Sequence, residues 1–401
     1  MFRCSSPGCA TSLRDTGGAG APWSGCSTWA SGSPPGAVLP PAPAGRAWPL
    51  RPPEQTLDPV THLLGGTLCG HLAGPRDRRG HRAALLTGAV AGLFPDIDYL
   101  GHLFQDPLTV LNNHRGVTHS FLLVPLWAGL LGWVAGKWPG GIAWRRGFLV
   151  ACAAVSLHIL LDLITPYGTR ILAPLDRHAF TLGTTFVIDP VLTLILGAGL
   201  AVSLQRGSRA PGALALLLLA ALITFQGHNR QEAEALARSH ARMQRLPAEV
   251  LALPQPFSAW NWKLVLQLPG EYRIAHVNLG REPLLQRLYP RNWPLGRTLH
   301  SYVPAERASW QRIPRYGPDA GAARVRAAWE SPAMAPFRSF ARLPSWYGND
   351  RRDGCIWFTD QRYTLPWLPP PFLFAACPEG PGRWRLQAPP DGRWPLLPSA
   401  G

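Results

Sequence analysis

Residues 147–165 read GFLVACAAVSLHILLDLIT. Wound as a helix rising about 1.5 Å per residue, an apolar run of this length is about long enough to cross ~30 Å of hydrocarbon. Only two ionisable side chains interrupt it, His158 and Asp162. They stand four positions apart, so one helix face presents both to the same point. Alone, the pair reads first as a buried hydrogen-bonded pair. Ionisable groups in membrane segments are costly to place and usually functional, however, so its neighbours decide.

Working outward, residues 83–101, 117–136 and 186–204 are apolar runs of similar length. The first is interrupted late by Pro95-Asp96-Ile97-Asp98. Residues 60–74 are short for a span, and 211–226 form a shorter sixth segment, led by Pro211 at a position suited to a helix start. The pattern predicts a mainly α, polytopic transmembrane domain of five or six membrane segments over residues 57–227.

The formal net charge of +16 would suggest nucleic acid in a soluble protein. Here the basic residues sit in short gaps between apolar runs: Arg76, Arg78, Arg79 and Arg82; Lys137, Arg145 and Arg146; Arg206 and Arg209. The alternate loops, 102–116 and 166–185, hold only Arg115, Arg170 and Arg177. Basic loops mark the cytoplasmic side, which places the alternate loops and the chain after Gln226 outside. The expected partners are therefore membrane lipids and no nucleic acid, and the expected location is the cell inner membrane, multi-pass.

Residues 1–56 are rich in Gly, Pro, Ser and Ala without periodicity, and are expected to be a disordered or untranslated extension. Residues 228–254, with an Arg/Glu/Ala stretch, read as a helical linker. Residues 255–401 are rich in Trp and Pro, with strand-like runs at 260–268, 355–363 and 371–377. They predict a small β-rich extracytoplasmic domain with a Pro-rich end. The seven cysteines show no zinc-type spacing, and Cys355 and Cys377 are the two that an oxidising compartment would let pair.

The topology places the ionisable groups of the segments at one depth. His62 opens the first segment, Asp96 and Asp98 end the second, and His114 and His119 flank the start of the third. His158 and Asp162 fall in the outer half of the fourth, and Asp189 begins the fifth. Chance scatter would put about half of them at the other face. Imidazole nitrogens with carboxylate oxygens suit a divalent metal, with zinc first and iron or manganese as alternatives. The candidates are His62, Asp96, Asp98, His114, His119, His158 and Asp162. They exceed what one catalytic zinc needs, which leaves either a second metal or a set of orienting carboxylates. Asp98 or Asp189 is the expected general base. Arg115 is either a phosphate or oxyanion contact or a residue snorkelling to the interface.

These runs carry a resemblance. Asp58-Pro-Val-Thr-His-Leu-Leu-Gly-Gly, Phe94-Pro-Asp-Ile-Asp-Tyr, His114-Arg-Gly-Val-Thr-His-Ser, the run from His158 to Thr169, and Ile188-Asp-Pro resemble the YdjM/YbcI-type family of membrane-bound metal-dependent hydrolases. The family is also described as LexA-binding and inner-membrane-associated. Its typical start, Met-Asp-Pro-x-Thr-His, matches with Leu57 in place of Met. The resemblance covers about residues 58–204 and implies a metal-bound hydrolase with these His and Asp residues as ligands or close neighbours. A remoter similarity in style to zinc-dependent phospholipase C points to a phosphoester.

The function expected from this reading is hydrolysis, by metal-activated water, of a lipid or phosphoester at the outer face of the membrane. The rival is a non-enzymatic membrane protein whose His/Asp cluster transports or structurally binds a metal ion. A conduit needs polar groups through the full membrane depth, whereas the inner halves of the segments, 83–92, 123–135 and 147–155, are essentially apolar.

Overall fold

The computed structural model describes residues 59–138, 140–280, 286, 289–350 and 353–389, so the extension expected over 1–56 lies outside the described residues. Four glycines set the first packing step. Helices α1 (Pro59–Ala73) and α2 (Arg78–Leu93) cross where Gly66 and Gly70 meet Gly88 and Gly92. A Cβ on Gly66 would lie 2.2 Å from the Gly88 carbonyl oxygen, and one on Gly88 would lie 2.1 Å from that of Gly66. Small residues let the backbones touch, the usual way for helices to associate where no hydrophobic drive exists between them.

Asp77 caps α2, its side chain accepting from the Gly80 N–H. Pro95 then turns the chain into a 3-10 segment, Phe94–Leu103. Helix α3 (Pro107–Asn113) is capped by Asp106, and α4 (Val124–Lys137) starts with Pro125 in its first turn. Helix α5 (Trp144–Leu163) follows, then α6 (Pro190–Arg206), capped by Asp189 and ended by Gly207 in the left-handed region. Helix α7 (Ala210–Met243) completes the bundle. Leu86, Val90, Leu126, Leu130, Leu194 and Leu217 point outward, as lipid-facing positions do.

Among the described residues, three helical stretches are long and apolar enough to cross a membrane: Arg78–Gly101, Trp144–Leu163 and Ala210–Met243. A fourth arises if Pro107–His119 and Phe121–Lys137, bent by 47°, count as one broken span. Helix α6 is apolar but shorter, and the 15 residues of α1 reach only about 22 Å. The continuous helix expected over 117–136 is broken at its start. Val117–His119 is a 3-10 turn, and the Ser120 hydroxyl caps the next turn and donates to the Ala173 carbonyl at 2.5 Å. Side-chain bonds of this kind compete with helix.

The expected linker over 228–254 is instead shared between two larger elements. Helix α7 runs unbroken to Met243, and Ala233, Ala237 and Ala241 pack against Ala252, Trp262, Leu264 and Leu266. Alanines one turn apart make a flat face that a sheet can cover. Strand β1 (Glu249–Pro254) already belongs to that sheet, which continues with β2 (Asn261–Leu268), β3 (Glu271–Asn278) and β4 (Gln311–Pro314) in antiparallel order. Val265 sits opposite Leu251 and Ile274.

A second antiparallel sheet comprises β5 (Pro344–Asn349), β6 (Ile356–Asp360), β7 (Leu373–Gly380) and β8 (Arg383–Gln387). Cys355 and Cys377 form a disulfide across β6 and β7. Lys263 of β2 ties the sheets together. Fully buried, it donates to the Gln361 carbonyl at 2.8 Å, the Thr364 hydroxyl at 2.8 Å and the Thr364 carbonyl, and burial pushes its pKa down to about 7. Leu108 and Leu111 of α3 enter the core of the second sheet beside Phe337, Phe358 and Phe374. The β domain thus rests on the end of the bundle where α5 finishes.

Gly88→Val should drive α1 from α2 and cost about 1–3 kcal/mol or more. Gly129→Ala, with nothing within 4 Å of the added Cβ, should be neutral or slightly stabilising. Thermal unfolding of the detergent-solubilised protein distinguishes them, and equal unfolding temperatures would refute the close crossing.

Candidate metal centre

Proline 95 and the end of α2 open the site. The last carbonyls of a helix lack intrahelical partners, and that of Gly92 accepts from His158 Nδ1 at 2.7 Å. A carbonyl only accepts, so His158 carries its proton on Nδ1 and its lone pair on Nε2. His119 is held in the same tautomer. Its Nδ1 lies 2.9 Å from the Thr118 hydroxyl, which donates to Asp98 Oδ2 at 3.0 Å and must therefore accept from the imidazole.

Both free lone pairs face one point. His119 Nε2 and His158 Nε2 are 3.1 Å apart. His119 Nε2 lies 3.0 Å from Asp162 Oδ2 and 3.4 Å from Asp96 Oδ1; His158 Nε2 lies 3.4 Å and 3.5 Å from the same two atoms. One ligand atom from each of the four residues lies within 4.8 Å of the others. A tetrahedral site with bonds of about 2.0–2.1 Å has ligand–ligand edges of about 3.3–3.4 Å, and the five distances cluster around that length.

The unpartnered atoms make the stronger test. Both oxygens of Asp96 and Oδ2 of Asp162 are buried without a hydrogen bond. Leaving buried carboxylate oxygens unmatched is expensive. A proton shared between the imidazoles would satisfy that pair and leave Asp96 unserved. A divalent cation satisfies all four groups, and the residues present fit it.

The other sequence candidates form a supporting layer. Asp98 Oδ1 pairs with His114 Nδ1 at 2.9 Å, and its Oδ2 also accepts from the Arg115 backbone N–H at 3.1 Å. Asp98, His114 and His119 do offer a second three-residue group. Its contacts are already hydrogen bonds, however, which suits orienting His119 rather than holding a second ion. His62 stacks on His158 with ring centroids 3.8 Å apart, and its Nε2 approaches Asp162 Oδ1 at 3.5 Å.

Arg115 and Asp189, the remaining residues expected to act at the site, are placed differently from one another. Arg115 is 2 % exposed and holds a left-handed backbone at φ 58°, so it does not snorkel. Its Nη2 bonds Asp162 Oδ1 at 2.7 Å, its Nη1 reaches the Thr165 hydroxyl at 2.8 Å, and its guanidinium lies 4.8 Å above the Tyr167 ring. It turns the other Asp162 oxygen toward the imidazoles. Asp189 stands outside the ligand group. Its oxygens cap α6 and accept from Gln226 Nε2 at 2.9 Å, and it lines a chamber of about 20 Å³ beside His62, Arg115 and Asp162. Sequence reading overlooked Thr118, Tyr167 and the Gly92 carbonyl. The first two lie inside the quoted runs, and the third is an atom that every residue has.

Residues 57–233 match the YdjM inner membrane protein family. The YdjM match extends past residue 204 into α7, and with the apolar helices it makes the chain a membrane protein. The uncharacterized protein YfhP of Bacillus subtilis (strain 168) is 26 % identical over 175 residues, 42 % of this chain and 52 % of that protein. The chain therefore spans about half the length of the curated relative it matches. No solved structure matches significantly.

For an ion held by these four atoms, Asp98→Ala or Thr118→Val should weaken affinity about 10–100-fold by freeing His119. Arg115→Met should cost about 3–5 kcal/mol by stranding Asp162. Chelator competition and thermal unfolding read the two effects. Unchanged affinity in both supporting-layer variants would argue against the assigned ligand set.

Proposed function

We propose that the chain is a membrane-bound, metal-dependent hydrolase working on a lipid or other phosphoester at the extracytoplasmic face of the inner membrane. The observation that supports it most is the convergence of two imidazole lone pairs and two carboxylates, with Asp96 otherwise unpartnered. Zinc is the first choice of ion, with iron or manganese served by the same nitrogen and oxygen donors.

An ion held by Asp96, His119, His158 and Asp162 would supply Lewis acidity toward a phosphoryl or carbonyl oxygen and water acidic enough to attack near neutral pH. The chain's own groups do the rest. Asp98 and Asp189, the bases expected from sequence, are engaged in hydrogen bonds, so the proton of an attacking water falls to the unpartnered Asp96 Oδ2. Arg115 lines the small chamber and its Nε has no partner, which suits it to an anionic substrate oxygen. Tyr167 packs edge-on against His114, and Phe340 and Tyr363 pack against Tyr167, which excludes bulk water from that side.

The outward orientation is supported by the Cys355–Cys377 disulfide, which suits an oxidising compartment, and by the basic loops at the opposite ends of the helices. A metal conduit is disfavoured by the mainly apolar interior below the cluster, where Leu68, Ala84, Ala91, Val150, Ala151 and Val155 are buried, with His71, Thr87 and Ser203 the buried polar side chains of α1, α2 and α6 there.

Metal content by mass spectrometry, with hydrolysis of a chromogenic phosphodiester, tests the proposal on the purified full chain. Wild type should carry a stoichiometric transition metal and turn the ester over. His158→Ala/Asp162→Ala should lose both while Gly129→Ala keeps both. A folded wild type that binds no metal after reconstitution ends the hydrolase reading.

A further inference from the structure

A second, larger cavity of about 260 Å³ lies where the β domain meets α6 and α7. Its walls are mostly apolar: Phe186, Val191, Leu222, Phe257 and Trp262. A buried water needs only about 10–15 Å³, so this space suits a flexible hydrocarbon segment. The small chamber beside the His/Asp cluster, about 20 Å³, has room for roughly one water by the same measure.

The two spaces adjoin. Phe186 and Asp189 line both. Between them runs a short polar partition: the Thr185 hydroxyl donates to Gln226 Oε1 at 2.6 Å, and Gln226 Nε2 donates to Asp189 Oδ2 at 2.9 Å. Passing from the large cavity to the small one therefore means passing from hydrocarbon-like walls, across amide and carboxylate groups, to Arg115, His62 and Asp162. That is the polarity profile of an amphiphile lying with its tail outward and its head toward the cluster.

The large cavity is also continuous with the lipid-facing surface. Val191 is 53 % exposed and Leu218, one turn before Leu222 on α7, is 49 % exposed. The turn between β1 and β2 supplies the facing wall. Trp260 meets Phe225 of α7 edge-on with ring centroids 5.7 Å apart, and Phe257 stays 41 % exposed on a left-handed backbone at φ 70°. A phenylalanine held outward in that conformation is strained, and such strain gathers at ligand clamps. Phe257 and Trp260 are exposed aromatic rings of the kind that favour a membrane interface.

We propose that this cavity holds one acyl chain of a membrane phospholipid and so directs the phosphoester end at the polar partition in front of the His/Asp centre. The inference deepens the hydrolase reading, which it needs only for the reaction at the head-group end. The chain site stands on the cavity and its continuity with the hydrocarbon surface.

Photolabelling tests it. The full chain is reconstituted into phosphatidylethanolamine/phosphatidylglycerol vesicles containing a phospholipid with a diazirine at one acyl terminus, and labelled peptides are mapped by mass spectrometry. Label should concentrate on 186–191, on the Leu222 region and on 257–262, above the lipid-facing sides of α4 and α5. Leu222→Trp and Val191→Trp fill the cavity from two helices, so that one informs if the other misfolds. Each should reduce label on the remaining walls about tenfold, equivalent to ~1.4 kcal/mol. Even labelling of all lipid-facing helices, or enrichment that survives both substitutions, overturns the chain site. Metal content, read on the same samples, separates the two claims. Metal with even labelling removes the chain site alone, whereas cavity labelling without metal removes the hydrolase reading alone.

Discussion

Two carboxylates and two imidazoles facing one another at membrane depth are the constraint from which the rest of this structure follows. Their ligand atoms lie 3.0–3.5 Å apart wherever they meet an imidazole nitrogen. The Gly92 carbonyl and the Thr118 hydroxyl hold both rings at Nδ1, so Nε2 of each is the atom that faces the carboxylates. In hydrocarbon, where water cannot repair an unmatched group, such a cluster persists only if the surrounding protein holds it rigidly. The glycine crossing of α1 and α2 brings His62 and Gly92 to the same level. The broken span between α3 and α4 lets His114 and His119 turn inward, and the irregular backbone it requires is bonded to the 171–173 segment rather than exposed to lipid.

Arg115 shows how tightly the supports are coupled. Its backbone N–H holds Asp98, its guanidinium holds Asp162, and its flat face lies over Tyr167. One residue thus serves a supporting carboxylate, a candidate ligand and the packing above the site. Its left-handed backbone costs conformational energy, which three separate sets of contacts offset.

The β domain is built into the bundle rather than tethered to it. Helix α7 serves both, apolar where it faces the bundle and alanine-striped where it meets the first sheet. Arg362, paired with Asp360 at 2.7 Å, reaches the Tyr167 carbonyl at 3.1 Å and the Phe340 carbonyl at 2.8 Å. The segment that closes over Arg115 is therefore held from the β side. Such contacts explain how a soluble-looking domain can shape a site whose ligands all come from helices.

The sequence by itself determined the helical membrane domain, the second domain with three of its strands, and all four candidate ligands. These are legible because hydrocarbon tolerates so few ionisable groups that each one stands out. Tertiary structure alone decided which groups face the common centre and which stand behind them. His114 and His119 share one motif, yet the first is spent on Asp98 and the second faces the centre, a difference of ring rotation that spacing does not encode. It likewise placed Asp189 at the cap of α6, turned Arg115 inward to Asp162, and divided the expected helical linker between α7 and β1. In each case the deciding partner is remote in the chain: Gln226 for Asp189, Asp162 for Arg115, and Trp262 and Leu264 for the alanine stripe. Local sequence sets what a side chain can do, and only the fold determines what it meets.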